Sequence, residues 1–249
     1  MTAAHPVRRD RRAELAAALE TVRGRVAAAC TAAGRSADEV ELVAVTKTRP
    51  ASDVALLVDL GQLAFGENRP QEAAAKVAEL TELRAGCTPR WHLVGSLQRN
   101  KARSVAAWAA RVESVDSARL ADALDAAVPR AVDSGERAGP LSVLIQLSLD
   151  GDPARGGVPA GQLAELADRI AGSGGLVLHG LMAVAPLGGD PDRAFAALQE
   201  AAGRLRDSHP GARVVSAGMT ADFERAIRYG STCVRVGAAL LGDRPLASP

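Results

Sequence analysis

The chain has 249 residues, with 30 Lys plus Arg against 29 Asp plus Glu. That balance gives no charge to draw it to nucleic acid or to an anionic membrane, and an aromatic content of 2% leaves few platforms for base stacking. With 47% hydrophobic and 24% charged residues, the composition is that of a globular protein long enough to bury a sizeable core. The cysteines are Cys30, Cys87 and Cys233, far apart and in no CxxC spacing. This implies free thiols in a reducing compartment, with the cytoplasm as the expected location. The charged start MTAAHPVRRDRRAELAAALE has no apolar signal core, and no uncharged apolar run is long enough to span a membrane.

In chain order, residues 9–33 place Leu15, Leu19, Val22 and Val26 at helical spacing among charges, which predicts an amphipathic opening helix. Short β-rich runs follow near 41–46, 62–66, 90–95, 111–115, 141–147, 175–181, 212–216 and 232–236. Helical patterns separate them at 51–60, 70–84, 99–109, 117–134, 160–173, 191–207 and 220–229. Strict alternation implies a parallel sheet. Eight such units in 249 residues have the size of a (β/α)8 TIM barrel, here with an additional N-terminal helix. An open doubly wound sheet would also alternate, but no G-x-G-x-x-G follows the first strand. The expectation is one domain over 1–249, with 1–10 and 243–249 frayed. Residues 133–140 and 149–161 read as loops flanking the fifth strand.

ELVAVTKTRP, residues 41–50, ends the first strand on a lysine. Val43, Val45 and Lys47 share parity, so an inward apolar row would carry Lys47 into the barrel mouth, where catalytic loops gather. Desolvation there would favour the neutral amine, which can form an imine with an aldehyde. The competing reading is a lysine that snorkels outward. Strand eight adjoins strand one in a closed barrel, and it carries Arg235 between two valines, followed by Gly237, which lets a ligand approach the backbone. A cation inside a barrel strand needs a partner. The loop SAGMTADFERAI, 216–227, offers the Ser216 hydroxyl, a tight turn at Gly218, and Thr220 or Asp222 to cap the next helix. Exposed N–H groups there favour an anion, at the customary phosphate position of this fold. An imine-forming lysine, a cation on the adjoining strand and a phosphate cradle together fit pyridoxal 5'-phosphate.

Other signals are weaker. His92 in WHLVGSLQRNKAR reads as a core histidine or a catalytic one, and Lys101 and Arg103 as a solvated helix face. Asn68 in FGENRPQE is either a ring-side ligand or a helix cap. No Cys/His pair has metal spacing, so no metal site is expected. No G-x-S-x-G elbow or P-loop is present.

The segments VAVTKTRP, FGEN, WHLVGSLQRNK, ESVDS, GLMAV, SAGMTADFERAI and GSTCVRVGAALLG run from about residue 40 to 242. In them the chain resembles the pyridoxal phosphate homeostasis proteins, the YggS/PROSC family. The resemblance implies an alanine racemase N-terminal domain-like barrel with Lys47 carrying the cofactor as an imine. It implies Arg235 at the pyridine nitrogen. Ser216 and the backbone N–H groups of Gly237 and Ala238 would hold the phosphate, with Gly218 and Met219 in the same loop and Asn68 and Met182 near the ring. Ala217 and Ala238 stand where the family commonly has methionine and threonine, and the second change removes a hydroxyl from the phosphate site.

An arginine at the ring nitrogen donates and does not accept, which weakens the ring as an electron sink. Two-base racemisation also needs a base opposite the lysine, and the single tyrosine, Tyr229, falls before strand eight, away from the mouth. The expected function is therefore binding and homeostasis of the cofactor without catalytic residues. The protein would be a monomer, with apo-enzymes as recipients. The alternatives are a pyridoxal-phosphate-dependent amino-acid racemase and an imine-forming aldolase for a phosphorylated sugar.

Overall fold

The computed structural model describes residues 6–186 and 188–242. Eight parallel strands close on themselves in the order β1 to β8, each neighbour pairing with the next and β8 with β1. The strands are β1 (Glu41–Val45), β2 (Ala64–Glu67), β3 (Arg90–Leu93), β4 (Arg111–Val115), β5 (Leu141–Gln146), β6 (Leu176–Met182), β7 (Val214–Ser216) and β8 (Cys233–Val236). The helices are α1 (Pro6–Ala32), α2 (Ala51–Asp59), α3 (Pro70–Leu83), α4 (Ala102–Trp108), α5 (Ala118–Asp133), α6 (Leu163–Ala171), α7 (Pro191–Ser208), α8 (Phe223–Arg228) and α9 (Ala238–Leu241). The chain is thus a (β/α)8 barrel with an extra helix in front.

Strand parity sorts the side chains into two layers. Ala44, Phe65, Trp91, Val234 and Val236 face outward and pack beneath α1 and α2. Val43, Ala64, Cys233 and Val214 pack together in a separate, inner cluster. The inner layer also holds His92, Glu113, Ser216 and Arg235, all buried. A bond from Glu113 on β4 to Ser216 on β7 must cross the lumen, because these strands are not neighbours.

α1 covers the seam where the first and last strands meet. Leu15, Leu19, Val22, Val26 and Cys30 form its buried stripe. Arg11 reaches Asp53 on α2 at 2.7 Å and the Leu241 carbonyl at 3.2 Å. Arg35 donates to the carbonyls of Ile227 and Ser231 at 3.0 and 2.8 Å. The helix therefore ties α2, α8 and α9 together around the seam.

The sequence-based boundaries hold with local exceptions. Helix 99–109 opens as a 3-10 turn at Arg99–Lys101 before α4, and 160–173 likewise at Ala160–Gln162 before α6. The helix expected from 220 starts only at Phe223, because Thr220–Asp222 form a turn. Asp222 takes the N-cap position of α8 without a side-chain cap bond, and Thr220 does not cap it. Asp222 accepts instead from the Met219 N–H at 2.6 Å, and Thr220 from the Ala239 N–H at 3.4 Å. The short α9 was not expected. Residues 6–10 belong to α1 rather than fraying, whereas 1–5 and 243–249 lie outside the described residues. Among the described residues no helix is long and apolar enough to cross a membrane.

Leu15 is fully buried at the seam. Leu15→Ala is expected to cost about 2–5 kcal/mol in a urea titration. An unchanged midpoint would show that α1 does not hold the barrel closed.

Candidate cofactor site

The rim of the barrel at the end of β1 is set by a buried polar clamp. Thr46 donates its hydroxyl to Glu67 at 2.6 Å. Lys76 from α3 donates to Glu67 at 2.5 Å and to the Thr46 carbonyl at 2.8 Å. Burial raises the Glu67 carboxyl above its ordinary value, against the opposing pull of Lys76 and Thr46. One turn on, Glu72 accepts from the Thr48 N–H at 2.6 Å. Thr48 has φ +63°, the only left-handed backbone among the described non-glycine residues. Such a conformation persists only where the surroundings hold it. The clamp thus fixes the chain on both sides of Lys47 and sets where that side chain leaves the backbone.

Lys47 itself is exposed. Its parity brings it to the mouth as expected, but the desolvation expected of it is not supplied by the protein.

Arg235 approaches from the neighbouring strand, where it pairs with Val43. It donates to the Ser216 hydroxyl at 2.6 Å and to the Ala183 carbonyl at 2.9 Å. Ser216 donates in turn to Glu113 at 2.6 Å, and Glu113 stands 3.9 Å from Arg235. The other Glu113 oxygen lies 2.7 Å from His92 Nδ1. Burial alone would raise the Glu113 carboxyl. Its bond to and the charge of His92, the charge of Arg235 and the Ser216 bond reverse this and hold it at about 2. Glu113 is therefore the anion that compensates the buried guanidinium, and His92 is a buried member of this network.

The loop after β7 needs glycine. Gly218 has φ +93°, and a Cβ there would stand 2.7 Å from both Ala226 Cβ and Phe223 Cα. Its carbonyl accepts from the Arg235 N–H at 3.0 Å, which ties the loop to β8. α9 begins directly after Gly237.

These elements surround a cavity of about 470 Å3. Lys47, Asn68, Met219, Arg235, Gly237 and Ala238 all line it. Three other predicted residues lie off its lining. Ser216 and Met182 are buried, and the Ser216 hydroxyl is committed to Glu113 and Arg235. Gly218 acts through loop shape. Asn68 is not a helix cap, since Arg69 occupies that position of α3. Thr48, Arg49, Val94 and Thr220 also line the cavity and were not singled out for it, nor was Glu113. A carboxylate in mid-strand, like an arginine in mid-strand, signals a buried pair, but only the fold shows that these two meet. A larger opening of about 630 Å3 sits at the other end of the strands, between α1, β1 and β2, and contains none of the predicted cofactor residues.

The fold and this rim define a barrel of the alanine racemase type with an amine and a guanidinium facing one cavity. A family model for the alanine racemase N-terminal domain matches residues 19–245. The chain is 49% identical over 248 residues to the pyridoxal phosphate homeostasis protein of Mycobacterium leprae, covering 96% of each. It superposes with TM-score 0.77 on the structure of PipY of Synechococcus elongatus with pyridoxal phosphate bound, at 33% identity, covering 92% of this chain and 100% of that one. An alanine racemase from Corynebacterium glutamicum shares the fold at TM-score 0.65 and 18% identity, and 93% of this chain covers 62% of that one. The chain belongs to the pyridoxal phosphate homeostasis protein family.

Glu113 links the site to acid stability. Its folded value, about 2 against an ordinary 4.5, is depressed. The stability it gives is present above about pH 4.5 and is lost as pH falls through about 2. The shift is worth about 3 kcal/mol. Glu113→Gln should flatten that acid limb in denaturation curves measured from pH 5 to pH 2. An unchanged limb would remove Glu113 as the compensating anion.

Proposed function

We propose that the chain binds pyridoxal 5'-phosphate and serves its homeostasis, holding and releasing the cofactor without turning over a substrate. The observation that carries this reading is Lys47 and Arg235 on one cavity of a size suited to a small ligand, next to the start of α9. The donor set fits the group: a primary amine for an aldehyde, a guanidinium for a ring nitrogen, and backbone N–H groups for a phosphate. When bound, the cofactor supplies an aldehyde that captures amines and a ring able to accept electrons from an attached amino acid.

Lys47 is the residue that would attach the aldehyde, and the clamp beneath it sets its reach. Arg235, fixed by Ser216, Ala183 and Glu113, would present a donor to the ring nitrogen and keep that atom unprotonated. Gly237 and Ala238 would take the phosphate through the backbone, which does not require the threonine hydroxyl that Ala238 lacks. Asn68 and Met219 would border the ring. Ser216 and Gly218 support this arrangement from behind, Ser216 by orienting Arg235, and Met182 is buried beside them.

The absence of turnover is argued from the same lining. Among the described residues lining the cavity there is no histidine, carboxylate, tyrosine or cysteine. A proton removed on one face by Lys47 has no partner acid on the other. Tyr229 ends α8 and packs against the core. We further propose that the barrel acts as one domain and as a monomer, delivering the cofactor to apo-enzymes in the cytoplasm.

Purified protein mixed with the cofactor should absorb in the visible, and borohydride should fix the added mass on the peptide containing Lys47. Lys47→Ala should lose both signals. Incubation with single amino-acid enantiomers should leave their configuration unchanged. Sustained inversion would replace the carrier by a racemase, and a fixed mass on another peptide would overturn the assignment of Lys47.

A further inference from the structure

A second group of chemistry-bearing side chains lies inside the barrel, toward the start of the strands. Glu41 and Cys233 are the first residues of β1 and β8 and pair across the seam. His92 joins them from β3. One carboxylate oxygen, one imidazole nitrogen and the Cys233 sulfur all lie within 4.8 Å of one another. We propose that Glu41, His92 and Cys233 form a binding site for a divalent cation of the zinc type, separate from the cofactor cavity.

The donor set is the first argument. Thiolate, imidazole and carboxylate are the three zinc ligand classes, and harder, oxygen-preferring cations such as magnesium are a poor match to a sulfur donor. Zinc–ligand bonds of about 2.0–2.3 Å place tetrahedral ligand atoms about 3.5 Å apart. The three atoms need to close by about an ångström to reach that spacing, with water as the fourth ligand.

The second argument is the orientation of His92. Its Nδ1 is held 2.7 Å from the Glu113 carboxylate. With Nδ1 engaged there, Nε2 is the ring nitrogen left to face a cation. A carboxylate behind a histidine is the arrangement that orients metal-binding imidazoles. The third is access. The opening of about 630 Å3 at this end is lined by Glu41 together with Arg23 and Arg90, so Glu41 is the member of the trio that solvent reaches, with His92 and Cys233 buried behind it.

Two features oppose binding and set its strength. Glu41 already pairs with Arg90 at 2.8 Å and Arg111 at 3.2 Å. Arg90 is 56% exposed and can turn away into solvent, leaving one oxygen to the cation. Coordination must also displace the proton of the Cys233 thiol to the buffer, so binding strengthens as pH rises. This proposal stands independently of the cofactor reading.

The test uses the full chain carrying Cys87→Ser, because Cys87 is an exposed thiol that would bind metal on its own. Cobalt(II) is expected to bind one equivalent with a thiolate-to-metal charge-transfer band, which zinc(II) then abolishes. Zinc should also raise the thermal midpoint, since it binds the folded state. Cys233→Ser in the same background should lose the band and the midpoint rise. Glu41→Gln should weaken cobalt binding by about tenfold or more. Absence of the band in the Cys87→Ser protein overturns the proposal and does so whether or not the other variants fold. Equal binding by Cys233→Ser overturns it as well.

Discussion

A guanidinium inside a closed sheet has to be compensated where it sits, and the interior of this barrel is organised around that need. Arg235 is 5% exposed and Glu113 fully buried. Removing either partner would strand a charge away from water, at a cost of about 3–5 kcal/mol. The two are not in close contact. Ser216 stands between them, accepting from the arginine and donating to the carboxylate. The hydroxyl converts a loose ion pair into a directed chain, and the chain fixes where the guanidinium points. His92 completes it from the other side of Glu113. Four strands, β3, β4, β7 and β8, are coupled through one carboxylate, so the orientation of Arg235 toward the cavity is a property of the whole lumen rather than of β8.

The amine opposite is held by a different device. Lys47 takes no part in the interior network. Its backbone is fixed from outside the barrel wall, where Lys76, Glu67 and Glu72 bind Thr46 and Thr48. This leaves the turn rigid and the side chain exposed. A fixed backbone carrying an exposed amine suits capture of an aldehyde from solution. It does not suit sequestration of an intermediate from water, which closed catalytic sites achieve by excluding solvent.

Much of this architecture was legible in the residues. Parallel strands buried on both faces read as short apolar runs, and the helices between them show 3.6-residue periodicity, so the alternation and the count of eight could be read directly. Lys47 and Arg235 stood out because each interrupts an apolar row at a known parity. What was not legible is what depends on contacts across the lumen. Glu113 lies in ESVDS, which has no local mark of function, and its partners come from strands 21, 103 and 122 residues away in the chain when counted from Glu113 to His92, Ser216 and Arg235. Ser216 read as a phosphate ligand because a hydroxyl at the end of β7 faces the customary anion site, yet its hydroxyl is bonded within the interior network. The exposure of Lys47 was misjudged for a related reason. Parity gives the direction of a side chain but not how far the rim extends beyond it.

The two ends of the barrel therefore differ in what they allow. At the start of the strands, Glu41 is bound to Arg90 and Arg111, and Cys233 and His92 are buried. At the far end, the charges are arranged asymmetrically, with Lys47 and Arg235 on the lining and two carboxylates off it, Glu113 inside the lumen against Arg235 and Glu67 outside the wall against Lys76. A phosphate-bearing ligand is attracted to such a surface, because the anions that balance it are screened from direct contact. Neither carboxylate lines the cavity. In this placement each carboxylate holds a cation in position, Glu113 through Ser216 for Arg235 and Glu67 directly for Lys76.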